Sequence, residues 1–136
     1  MDYEIAGRFT FYGCIPDDSI EQHLGIVLGV KDALLKYCYC TSKKYKHIIL
    51  NEVDFIKIPA AYMNSYFKNP QDTFIYLSQQ YIIDMFLVTF ERHLSNSEYE
   101  VKEQISTEVF VSILSKIQNS NNLSERFKNE FFAFIE

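Results

Sequence analysis

The sequence predicts an α+β fold, with a small, mainly antiparallel sheet or barrel first and helices concentrated in the second half. Three observations carry this. Up to residue 58 the apolar residues fall in short runs separated by turn residues, as strands require. After Ser78 they recur about every four residues, as helices require. The Gly29–Ala33 connection is short enough for a hairpin, so the two runs around it pair antiparallel. At 136 residues the chain suits one domain, residues 1–136, that can bury a core without staples.

In order, strands are expected over residues 3–12, 23–30, 34–41 and 48–58, with turns at Gly13, at Pro16-Asp17-Asp18-Ser19 and at Lys31-Asp32. Pro59 suits a first helical position, and Tyr62, Met63, Tyr66 and Phe67 follow at amphipathic spacing until Asn69-Pro70 stops the helix. Residues 73–77 form another strand, and the sheet is expected to be complete before residue 78. Ser78 reads as the N-cap of a long helix over 79–94, with Ile82, Phe86 and Phe90 on its buried stripe and Asn96-Ser97 as its end. A further helix is expected over 107–118, burying Val109, Phe110, Ile113, Leu114 and Ile117. The last is capped near Ser124 and presents Phe127, Phe131, Phe134 and Ile135. Glu98-Tyr99-Glu100-x-x-Glu103 reads as an exposed acidic segment.

Charge narrows the function. Thirteen Lys plus Arg against 18 Asp plus Glu give a net charge of −5, which argues against a whole-surface grip on duplex nucleic acid but leaves room for a local basic groove. The acidic start Met1-Asp2-Tyr3-Glu4 shows no signal peptide, and the apolar stretch over 81–90 is broken by Asp84, so neither export nor a membrane partner is expected. Cys14, Cys38 and Cys40 are odd in number and lack a framework spacing, which suits a reduced, cytoplasmic protein. Cys38-x-Cys40 has no second pair, and His23, His47 and His93 are scattered, so no metal site and no cofactor are expected.

Residues 36–47 reverse the sign of the charge. Lys36, Lys43, Lys44 and Lys46 fall there beside His47, with no acidic side chain, and Thr41-Ser42 stand where the apolar strand gives way to the basic turn. Ammonium, hydroxyl and imidazole together suit phosphodiester chemistry: a Lys neutralises non-bridging oxygens, hydroxyls orient the phosphate, and a His or Lys moves protons. Neighbouring strand residues point to opposite faces, so Thr41 and Ser42 share a site only if the strand stops at or just before Thr41.

The order of Gly25-Ile26-Val27-Leu28, a polar turn, and a strand closing on Thr41-Ser42-Lys43-Lys44, with His47 three residues on, resembles the PemK/MazF-like toxin superfamily. Within it, the ToxN/AbiQ endoribonucleases of type III toxin–antitoxin systems are most similar. Asp54-Phe55-Ile56-Lys57-Ile58-Pro59 and Thr73-Phe74-Ile75-Tyr76-Leu77 resemble the middle of such proteins, so the likeness spans residues 3–94. It implies an SH3-like barrel or bent sheet and metal-independent cleavage of single-stranded RNA by the substrate's own 2′-hydroxyl. It further implies neutralisation by a cognate antitoxin of RNA or protein, and a homo-oligomer is compatible with it. Thr41, Ser42, Lys44 and His47 would then be catalytic, and Lys43, Lys46 and His23 would bind RNA. MazF-like enzymes commonly carry Arg where this chain has His23, which would replace the missing proton-transfer group. The competing expectation is a non-catalytic binding protein, with an immunity, antitoxin or phage-defence accessory role, using the same small barrel.

Overall fold

The computed structural model describes residues 9–15, 20–42, 54–60 and 71–135. Among them are seven strands: β1 (Phe9–Gly13), β2 (His23–Lys31), β3 (Leu34–Thr41), β4 (Phe55–Ile58), β5 (Thr73–Tyr76), β6 (Ile82–Phe86) and β7 (Tyr99–Gln104). Three helices follow the first six strands: α1 (Leu87–Ser95), α2 (Thr107–Asn119) and α3 (Glu125–Ile135). The strands form one antiparallel sheet in the order β4-β5-β3-β2-β1-β7, with β6 also on β3. The fold is α+β. Among the described residues the sheet stays open, with β4 and β7 at its two ends. The helix expected after Pro59 lies outside the described residues.

The centre of the sheet is the hairpin β2–β3, paired from Lys31↔Leu34 to Leu24↔Cys40. Asp32 and Ala33 both have positive φ, 52° and 65°, as the tight turn of a two-residue hairpin demands. Ile26 and Val27 are wholly buried, so β2 has an apolar layer on both faces. Gly25 is required by close approach: a Cβ there would stand 2.7 Å from both Phe11 Cε1 and Ile15 Cδ1. On one face Leu24, Ile26, Cys38 and Cys40 pack with Ile113, Ile117 and Phe131 of α2 and α3. On the other, Phe11, Val27, Leu35 and Tyr37 pack around Phe90 of α1. Ser106 and Ser124 cap α2 and α3, each hydroxyl accepting an N–H from three residues on (Val109, 3.2 Å; Phe127, 3.1 Å).

Two expectations fail after residue 77. The helix expected over 79–94 begins only at Leu87; Ile82–Phe86 is strand β6, in register with β3 from Cys38↔Ile82 to Leu34↔Phe86. Ser78 starts a single turn in which Tyr81 and Ile82 N–H groups donate to its carbonyl, and the turn goes no further. Two β-branched residues, Ile82 and Ile83, favour the pleat. Asp84 lies directly opposite Lys36 and pairs with it at 2.6 Å. Residues 82 and 86 fall on one face in a strand as well as in a helix, so their spacing does not separate the two. Phe86, expected inside, is 66% exposed.

The second failure is the sheet's completion before residue 78. Both β6 and β7 come later, and the acidic run through Glu98 and Glu103 contains β7, paired antiparallel to β1. Glu100 and Glu103 remain exposed on that edge, while Tyr99 is buried against Phe11 and Phe90. Thr10, buried on β1, donates its hydroxyl to the Glu103 carbonyl. No helix among the described residues is long and apolar enough to cross a membrane.

Candidate functional site

Register brings the site together at one end of the sheet. Tyr12 pairs with Leu24, and Leu24 with Cys40, so three side chains from β1, β2 and β3 stand in one row. They form the apolar floor of a cleft of about 270 Å³. One residue further along β2 and β3 the lining turns polar. Thr41 is the last residue of β3, and Ser42 lies in the bend that follows. Both line the cleft, together with His23 at the start of β2, Glu21 and Gln22 before it, and Gln71 and Thr73 at the start of β5. The strand therefore stops where a shared Thr41–Ser42 site requires.

His23 is the first residue of β2, next to Leu24, and pairs with Gly13 of β1. Its Nδ1 lies 3.2 Å from the Cys40 carbonyl oxygen. A carbonyl only accepts, so Nδ1 carries the proton in this bond. The ring also packs on Tyr39, centroids 5.3 Å apart. These two contacts fix the ring's position and tautomer, as a proton-transfer group needs.

The floor is chemically quiet. Burial pushes the Cys38 thiol up to about 12, and Cys40 is raised well above its ordinary value by burial and then by Cys38. Near neutral pH Cys40 is a protonated, apolar surface and not a thiolate nucleophile. Among the described residues no three His, Cys, Asp or Glu side chains are grouped to hold a metal ion.

Asp72 positions the β5 side of the cleft. Its carboxylate accepts from the Ala60 N–H at 3.0 Å and faces Lys57 Nζ at 3.4 Å, tying the end of β4 to the start of β5. Those two donors, Ala60 first, hold its carboxyl below the ordinary value. Thr73 donates its hydroxyl to the Gln71 carbonyl at 3.2 Å, which shapes the rim between them.

Of the residues singled out in the sequence, the structure brings Thr41, Ser42 and His23 into one cleft. Lys43, Lys44, Lys46 and His47 lie outside the described residues. Tyr12, Gln71 and Thr73 were not legible as site residues, because their place depends on pairings between distant strands. Glu21, just beyond the expected turn at Pro16-Asp17-Asp18-Ser19, was not singled out either; its position close to a strand that starts with His was the available signal. Comparisons with protein-family models, with curated proteins and with solved structures return no match.

Proposed function

We propose that this protein is a toxin-type, metal-independent endoribonuclease that cleaves single-stranded RNA. The observation that carries the reading is the convergence of Thr41, Ser42 and His23 in one open cleft at the end of β3. The two hydroxyls bind non-bridging oxygens of the scissile phosphate. His23 Nε2 takes the proton of the adjacent 2′-hydroxyl, whose oxygen attacks phosphorus as the bond to the 5′-oxygen breaks. The leaving oxygen takes up a proton, and the products are a cyclic phosphate and a 5′-hydroxyl. Lys44, assigned from the sequence, stabilises charge on the phosphate, and His47, assigned the same way, supplies the second proton-transfer group. Lys43 and Lys46 draw in the RNA backbone. β3 pairs on one side with β2 and on the other with two successive segments, β5 and β6, and this interrupted pairing supports an SH3-like arrangement. A cognate RNA or protein antitoxin would neutralise the enzyme in the cytoplasm.

The test is induced expression of wild type beside Lys44→Ala, Thr41→Ala and Ser42→Ala, following growth and RNA integrity together. A charge donor or proton-transfer group contributes roughly 10²- to 10⁴-fold, so Lys44→Ala should abolish toxicity. The hydroxyl variants should lose less, and their double variant less than the product of the two, because they act on one phosphate. Cleavage should persist in EDTA and stop at a 2′-deoxy nucleotide. Robust cleavage by Lys44→Ala, or cleavage at the deoxy site, would overturn this mechanism, and intact RNA with unimpaired growth on wild-type expression would leave the non-catalytic binding protein ahead.

A further inference from the structure

We infer that this chain forms a homodimer by antiparallel pairing of strand β7 with β7 of a second copy, about a two-fold axis at Val101. The inference stands apart from the nuclease reading and starts from the open edge of the sheet. Among the described residues β7 pairs with β1 alone and ends the sheet. An edge strand offers backbone N–H and C=O groups to another chain unless its side chains forbid the approach. At the opposite end β4 has four residues, and its one charged side chain, Lys57, faces Asp72 at 3.4 Å. The charges of β7 are arranged differently. The Glu100 side chain is 70% exposed and lies 3.4 Å from Lys102 Nζ, which also stands 6.0 Å from the centroid of the Tyr12 ring. Tyr12 is paired with Glu100, so these two charges share one face of the strand, while Val101 packs on the other face with Tyr99 and Phe90.

The order of charge along the strand selects both the partner and the register. A two-fold axis normal to the sheet keeps each face on its own side, so it must pass beside a single residue of each β7. At Glu100 or Glu103 the axis would set two carboxylates against each other, and at Lys102 two ammonium groups. At Val101 the charges complement: Glu100 meets the partner's Lys102, and Lys102 meets the partner's Glu100. With the ion pair already present within each strand, four charges of alternating sign close a ring, and such networks contribute more than isolated exposed pairs. β7 carries an extra residue between Val101 and Gln104, where its register on β1 shifts. That bulge bends the strand and keeps the new pairing short, so the dimer is reversible, with a Kd of roughly 1–100 μM. The pairing is isologous and stops at two copies. The cleft lies at the Gly13↔Tyr99 end of the strands, so the axis turns the two clefts to opposite ends of the joined sheet.

Sedimentation velocity of the full chain, from roughly 5 to 500 μM, tests the dimer. Wild type should pass from monomer toward a species of twice 16.0 kDa as concentration rises. Lys102→Glu gathers four carboxylates about the axis, and Glu100→Lys gathers four ammonium groups. Each variant alone should therefore dimerise about 5- to 100-fold more weakly. Mixed in equal amounts, the two variants again set Lys against Glu on both sides of the axis, so the mixture should dimerise about as well as wild type. The double variant Glu100→Lys/Lys102→Glu should do the same, and it decides the matter where a single variant loses its fold by circular dichroism. A monomer at every concentration, a species larger than a dimer, or wild-type affinity in a folded single variant would overturn the pairing. So would a double variant that stays as weak as the single ones, or two folded single variants that gain nothing on mixing.

Discussion

Cys38 and Cys40 sit two residues apart on β3, on the face covered by α2 and α3. Burial holds both thiols protonated in the folded protein, so they couple stability to pH. The Cys38 value rises from 9.0 to about 12, so the unfolded chain loses its proton first as pH increases. Stability from this group is complete below about pH 9 and is lost as pH climbs toward about 12. The slope is about 1.4 kcal/mol per pH unit for one thiol. Urea unfolding between about pH 8 and about pH 10 should show a shallower decline for Cys38→Ala than for wild type, although the variant starts from a lower stability because a buried Sγ is removed. Parallel profiles would mean that the thiol is not shielded. The same burial should protect both cysteines from alkylation in the native state.

Among the elements, the β2–β3 hairpin holds the clearest strain. Ala33 sits at φ 65°, a region that costs a side-chain-bearing residue about 1–2 kcal/mol. Ala33→Gly removes that cost but gives back roughly 0.4–1 kcal/mol through the freer unfolded chain. The net should be a gain of about 0.5–1 kcal/mol and a rise in Tm of roughly 2–4 °C by calorimetry. A loss of stability would contradict the left-handed turn. The hairpin was legible in the sequence because turn and strands are local and agree. β6 was not, because a spacing of four satisfies both a strand face and a helix face. What decides between them is its pairing with β3, more than forty residues away, completed when the Leu87 N–H donates to the Ala33 carbonyl at 2.8 Å. That bond occupies a donor that a helix start would leave open, and α1 accordingly begins without a side-chain cap. β7 was missed for a related reason: its exposed Glu100 and Glu103 hide a strand whose buried residue is Tyr99.

At the scale of the whole molecule, the endoribonuclease proposal requires an acidic chain to hold a polyanion through one short basic run. The half of the site legible in the sequence, Thr41-Ser42 and His23, lies at strand ends, and Thr41-Ser42 directly precede that run in the chain. The other half, Tyr12, Gln71 and Thr73, arrives through β1 and β5, and the order of strands in a sheet is not written locally. This layout limits how much phosphate the protein can neutralise. Each phosphate contact on a single strand contributes about −0.7 to the slope of log affinity against log salt. With the net charge at −5 and three lysines within residues 43–47, a slope of roughly −1.5 to −2 is expected, equivalent to two or three phosphates. Lys43→Gln and Lys46→Gln should each flatten that slope by about 0.7 and weaken all single-stranded RNAs alike. A slope steeper than about −4 would require a basic surface elsewhere on the protein. A slope near zero, unchanged by either lysine substitution, would show that the run over 43–47 does not meet the backbone, and would take Lys44 out of the site with it.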